Sequence, residues 1–314
     1  MAGVRHGLAV DLAGVRFPLP VLAASGCFAG GREQAGLTDV HRIGGVVTRS
    51  LTYGPSKGAP TPRVAETPSG IVTSVGAQNA GVREFLVEEL PRLAKAGLPV
   101  VASIAGSSVE EYLRVASALQ SEPGIVALEV YLSARDREHD DLPFYARRDV
   151  MTDVVGAVSR LSSYPVFAKL PALVPDIVEA ARACVRVGAH GLTLIDAVPA
   201  MAIDTRTLRP RLATAIGGLS GPAIRPIAVG AVFRVAQALP DVPIMGVGGI
   251  ATPEDAIELL LAGAWAVQVG TAALVDPSAP AAIAQGILGY LKEKGFASPA
   301  DLRNRLRYDP EAVG

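Results

Sequence analysis

The sequence predicts an α/β protein of the (β/α)8 TIM barrel class, with an N-terminal β-hairpin and loop insertions on the active face, built as one domain over residues 1–314. Three observations predict it. Short apolar runs of strand length alternate with helix-patterned segments along most of the chain, the signature of parallel strands with crossover helices. Two consecutive strand patterns near the end close on glycine, Met245-Gly246-Val247-Gly248-Gly249-Ile250 and Val267-Gln268-Val269-Gly270-Thr271-Ala272, with a helix pattern between them. Half of the 314 residues are hydrophobic, which allows a core of the size such a barrel needs.

Taken in order, Leu8-Ala9-Val10 and Val15-Arg16-Phe17 flank Leu12-Ala13-Gly14 and predict a small hairpin under the barrel. Residues 21–24 form a first buried strand, followed by Ser25-Gly26-Cys27-Phe28, and residues 45–48 a second, followed by Arg49-Ser50-Leu51-Thr52. Residues 53–79 are rich in proline, glycine and threonine, with no helical period, and read as an excursion over the active face. A helix is expected over 82–95, a strand over 100–104, and a helix from Ser108 whose Glu111 completes a capping box. Strand 125–130, a charged loop and helix 149–161 follow, then strand 166–169, helix 175–187 and strand 191–195. A polar stretch containing Gly217-Gly218-Leu219-Ser220-Gly221-Pro222 leads into a helix ending at Leu239. The strand at 244–246 runs into Thr252-Pro253-Glu254-Asp255, a hydroxyl cap with proline in the first turn and an acid three residues on. The last strand precedes a terminal helix, 279–294, and the tail after Arg305 reads as surface or partner-facing.

A net charge of −1 and a pI near 6.4 argue against a nucleic-acid surface as the main business. Cys27 and Cys184 stand far apart without ligand spacing, so neither a disulfide framework nor a structural metal site is encoded, and the chain reads as cytoplasmic. Cys27 reads as a small buried residue rather than a nucleophile. The N-terminal segment carries Arg5, His6, Asp11 and Arg16 and matches no secretory signal. No apolar run approaches the span of a bilayer helix.

The paired glycine turns point to a phosphate. Both are strand-to-helix turns that expose backbone N–H groups, where glycine permits close approach and helix ends favour negative charge. In barrels of this class the loops after strands seven and eight commonly hold one. A phosphosugar lyase with Lys169 as a Schiff-base lysine is one enzyme class consistent with that much.

Several motifs, in order, carry a closer resemblance: Ala24-Ser25-Gly26-Cys27-Phe28, Gly58-Ala59-Pro60-Thr61-Pro62-Arg63, Gly76-Ala77-Gln78-Asn79, Gly217 to Pro222, Gly246 to Ile250 and Gly270-Thr271-Ala272. The chain resembles the dihydroorotate dehydrogenases, most closely the class 1B catalytic subunits, over nearly its whole length. The resemblance implies an FMN-binding barrel that moves a hydride between a substrate C–H bond and flavin N5. It implies that Gly248, Gly249, Gly270 and Thr271 hold the FMN phosphate, with Gly221 packed nearby. Ala24 and Ser25 would lie under the isoalloxazine, Arg49 and Ser50 beside it, and Lys169 by flavin N1 and O2. It further implies a homodimer and an electron-transfer subunit, or another electron acceptor, as partners.

On the substrate side the chain departs from the pattern. The family's Asn-x-Ser-Cys-Pro-Asn loop, whose cysteine removes the proton, is here Tyr131-Leu132-Ser133-Ala134-Arg135-Asp136. Alanine cannot accept a proton. The family's Lys after the second strand is Arg49, its Leu-Asn pair is Val72-Thr73, its Gly-Leu is Gly76-Ala77, and its asparagine-hydroxyl pair is Asp196-Ala197. Amides pair with orotate's ring edge because each donates and accepts; replacing them should leave buried edges mispaired at about 1–3 kcal/mol each. Tyr131, Asp136 and His139 remain as candidate acid/base groups, and Arg49 can clamp a carboxylate. The expectation is therefore an FMN oxidoreductase with an altered heterocyclic or carboxylate substrate. A genuine dihydroorotate dehydrogenase using a non-cysteine base, or a flavin-binding pseudoenzyme, are the alternatives.

Overall fold

The computed structural model describes residues 7–28, 39–138, 141–303 and 305–308. Eight strands, β1 (Val21–Ala23), β2 (Gly45–Val47), β3 (Val100–Ile104), β4 (Ile125–Tyr131), β5 (Val166–Pro171), β6 (Gly191–Asp196), β7 (Ile244–Val247) and β8 (Ala266–Val269), close into a barrel. Each strand pairs in parallel with the next, and β8 returns to β1. Helices α1 (residues 82–95), α2 (Val109–Ala118), α3 (Arg148–Leu161), α4 (Ile177–Arg186), α5 (Arg225–Ala238), α6 (Pro253–Leu261) and α7 (Ala279–Lys294) cover the outside. The strands are nearly free of exposed positions because side chains of one parity fill the lumen and those of the other pack under the helices.

The lumen fills in layers. The hairpin Val10–Leu12 and Val15–Phe17, turned at Ala13 and Gly14 with φ of 53° and 81°, plugs the lower end. Its Leu12 and Phe17 pack against Leu22, Val47, Val101, Ala127, Phe167, Met245 and Ala266, one lumen residue from each of seven strands. On β6 that level is Gly191, where a Cβ would stand 2.3 Å from the Phe167 ring. Two residues further along the strands the lining becomes polar: Ser103, Glu129, Lys169, Thr193 and Gln268, all buried. The site stands on this second layer.

The upper end is covered by loop insertions that the sequence places but does not resolve into strands. Residues 53–79 contain a hairpin, Val64–Thr67 with Gly70–Thr73, which joins Gly217–Ser220 and Val198–Ala200 in a four-stranded antiparallel sheet. Its strands come from the loops after β2 and β6, so no local period announces the pairing.

Two helix signals resolve differently from expectation. Helix α1 widens into a π-turn over Phe85–Glu89 just before Pro91, which has no N–H to return to the preceding turn. Ser108 does cap α2 through Glu111 N, but the Glu111 carboxylate takes the N–H and hydroxyl of Ser107, at 2.7 and 2.9 Å, instead of closing a box on Ser108. At α6 the box is complete between Thr252 and Asp255. The described part of the tail folds back, with the Tyr308 hydroxyl donating to Gln237 at 3.0 Å and its ring edge-on to Phe233.

Candidate functional site

The glycine turns after β7 and β8 lie side by side because those strands are neighbours, with Gly246 opposite Val267 and Val247 opposite Gln268. Gly248 and Gly249 have φ of 128° and 75°, a backbone open to glycine and strained for other residues. A Cβ on Gly249 would lie 2.5 Å from that of Arg225. After β8, a Cβ on Gly270 would enter the space beside Ala24 and Cys27 Sγ, each at 3.6 Å. Thr271 Oγ1 donates to Ser220 Oγ at 2.8 Å, which draws the strand before Gly221 against the same turn. Among the described residues, none accepts a hydrogen bond from the backbone N–H of Gly249, Gly270 or Thr271. Converging N–H donors with glycine access and a hydroxyl nearby suit a phosphate monoester, so these residues fit the FMN that the resemblance implies.

Lys169 stands in the second lumen layer of β5, 5% exposed, with Tyr131 in register on β4 and Thr193 on β6. Its Nζ lies 3.4 Å from Glu129 Oε1. Burial alone would drive the ammonium to lose its proton, but the Glu129 and Asp196 carboxylates outweigh it and hold Lys169 above the ordinary lysine value. Asp196 ends β6, opposite Pro171 of β5. Its carboxylate, then burial, push the Tyr131 phenol well above the usual range, and Tyr131 also reaches Ser133. Burial, then Asp196, raise Tyr145 as well. Two phenols that keep their protons and a buried ammonium thus all bear on one carboxylate, Asp196.

Of the remaining candidates, Arg49 follows β2 and donates from Nη1 to Gln78 O at 3.2 Å, while its Nε is buried without a partner. Ser50 Oγ meets Ser103 Oγ at 3.0 Å. Gln78 Oε1 in turn accepts from Arg63, whose Nε donates to Ala59 O, so the 53–79 excursion is stitched to itself above β2. Ala24 is buried at the end of β1 and Ser25 half-buried beside it. Thr73 pairs with Gly218 in the covering sheet, and Ala197 abuts Gly218 from the other side. Gly76 and Ala77 form the turn before Asn79, whose side chain ties Thr52, Ala77 and Gly81 together. Ala134 is half-buried and its carbonyl accepts from Phe144 N.

Asp136 is 3% exposed, accepts from Glu138 N at 3.0 Å and lies near Tyr112. Tyr112 in turn donates its hydroxyl to the Tyr131 carbonyl, so Asp136 stands one residue removed from Tyr131. His139 lies outside the described residues. Sequence reasoning missed Glu129, Thr193, Gln268 and Tyr145. The first three had a signal: each is a lone polar residue inside an otherwise apolar strand run, at lumen parity. Tyr145 had none, because the loop alone brings it near Asp196.

Burial also raises the thiols, Cys27 to about 11 against the pull of Lys169, and Cys184 to about 12. The folded chain therefore keeps protons that the unfolded chain releases from pH 9 upward. This share of stability is complete below pH 9 and is lost as pH rises through about 11 to 12, so the urea midpoint should fall steadily above pH 9. A midpoint that stays level from pH 8 to 11 would contradict it.

Among the described residues, no three His, Cys, Asp or Glu side chains gather as a metal site, and no helix is long and apolar enough to cross a membrane. The family model for dihydroorotate dehydrogenase matches residues 7–291. The dihydroorotate dehydrogenase B (NAD(+)) catalytic subunit of Geotalea uraniireducens is 43% identical over 299 residues, covering 95% of this chain and 98% of that one. The protein of the same name from Endomicrobium trichonymphae is 45% identical over 295 residues, 93% and 94% of the two chains. That from Geobacillus kaustophilus is 45% identical over 270 residues, 86% of each.

Proposed function

Because the chain belongs to the dihydroorotate dehydrogenase family, we propose that it is an FMN-dependent oxidoreductase acting on a CH–CH unit of a small heterocyclic or carboxylate-bearing molecule other than dihydroorotate. The observation that carries the reading is an intact phosphate cradle and buried Lys169 beside a rebuilt acid/base set, in which Ala134 occupies the cysteine position and Tyr131, Tyr145 and Asp196 crowd together.

FMN, when bound, supplies hydride exchange at N5. The chain's own residues do the rest. The N–H groups of Gly248, Gly249, Gly270 and Thr271 hold the phosphate, and Ala24 and Ser25 back the ring. Lys169 sets a fixed positive charge where reduced flavin gathers negative charge. Arg49 has donor capacity left over to orient a substrate carboxylate. Tyr131 keeps its proton far above neutral pH, so it serves as a donor, and Asp196 supplies the acceptor that a side-chain amide would share between both roles. A substrate with N–H, O–H or cationic edges suits that acceptor better than orotate's carbonyls.

The relatives' printed names describe catalytic subunits acting with NAD(+). By that likeness we read this chain as a cytoplasmic homodimer that exchanges electrons with a separate subunit or other acceptor.

Anaerobic titration of FMN-loaded protein with dihydroorotate tests the substrate reading. The visible flavin band should stay unbleached over minutes. Bleaching at a catalytically useful rate would return the chain to the family reaction with a non-cysteine base. Protein that takes up no FMN would end the flavin reading altogether.

A further inference from the structure

Below Lys169 the lumen holds a carboxylate that the proposed chemistry does not use. Glu129, fully shielded in β4, takes Lys169 Nζ at 3.4 Å, Thr193 Oγ1 at 3.0 Å and Gln268 Nε2 at 3.1 Å. These donors come from β5, β6 and β8, so the contacts cross the lumen instead of following one sheet edge. Gln268 Nε2 also reaches Met245 Sδ at 3.3 Å, at the apolar layer beneath. Three donors converging on a fully buried carboxylate are what a buried charge requires, and of the four residues Lys169 alone keeps any exposure.

The charged and titratable groups bearing on Lys169 are Glu129 from β4, Asp196 from β6 and Cys27 from the loop after β1, with Tyr131 beside it in register. Cys27 keeps its proton at neutral pH. Glu129 is the carboxylate in direct contact, and it is the largest influence opposing the effect of burial on the ammonium.

We propose that Glu129 is a positioning residue that pins the Lys169 ammonium, charged, beneath the open end of the barrel, so that the positive charge offered to the flavin does not vary across the neutral pH range. The inference rests on the flavin reading above and concerns a residue that acts on the flavin only through Lys169. Without Glu129, the carboxylate in direct contact is lost and burial is opposed chiefly by Asp196, so the amine holds its proton less firmly and its charge comes to depend on pH.

The test is the two-electron midpoint potential of FMN-loaded Glu129→Gln against native protein from pH 6 to 9. The gap between the two is expected to widen by about 30 mV over that range, a tenfold change in the equilibrium constant of a two-electron couple. A gap that stays constant with pH, even with a lowered thermal midpoint, would mean that Glu129 is structural only and would overturn the proposal. Glu129→Asp, which keeps the charge but draws it back by one methylene, should show the same widening at smaller amplitude, and a flat gap there counts equally against it. Native protein that binds no FMN would overturn the flavin reading instead, so the two failures are distinguishable.

Discussion

Lys169→Met should leave the protein able to bind FMN while destabilising the reduced flavin about 10²–10³-fold, the range for removing one preorganised charge or donor from a developing anion. For a two-electron couple that is a fall of about 60–90 mV in midpoint potential. FMN should remain bound because the proposed phosphate cradle belongs to the turns after β7 and β8, and Lys169 belongs to β5. The same substitution strands Glu129, buried with Thr193 and Gln268 but without its cation, at a cost of about 3–5 kcal/mol. A dye-equilibrated potential and a thermal melt read the two effects separately. An unchanged potential would mean that Lys169 does not adjoin the flavin, and would remove the chemical half of the proposed site.

Gly249→Val should have the largest effect on cofactor retention, with FMN affinity down more than about a hundredfold. A β-branched residue at a φ of 75° is a backbone outlier, and its Cβ would press on the N, Cα and Cβ of Arg225 at 2.5–2.7 Å. Backbone strain costs about 1–3 kcal/mol. Overpacking adds a comparable amount. Relief can come only by moving the turn whose N–H groups are proposed to face the phosphate, so affinity and stability should fall together. Flavin fluorescence on titration with the variant measures the first. Normal FMN binding by this variant would show that the phosphate sits elsewhere.

Much of the proposed site was legible because its parts are local. The cradle needs glycine at fixed offsets after a strand, and Gly248, Gly249 and Gly270 state that in the chain itself. Lys169 was legible as a lone charge in an apolar run, although β5 continues past it to Pro171. Ala134 in place of the family's cysteine was legible from one residue. Tyr145 was not, because only the path of its loop brings it near Asp196. Nor was the burial of Asp136 and its bond from Glu138 N, since nothing in a stretch of charges says which carboxylate will find a nearby N–H.

The sequence by itself determined the order of the barrel strands and helices, the hairpin beneath the barrel, and the glycine turns after β7 and β8, because each follows from periodicity, capping or glycine chemistry within a few residues. Only the tertiary structure decided that residues 53–79 and 198–220 share one covering sheet, and that Glu129, Thr193, Gln268 and Lys169 meet in the lumen. Those contacts join residues 40 to 139 positions apart. Closure of the barrel selects them, since it turns strands of one parity onto a common axis, where buried polar atoms find their partners chiefly among one another.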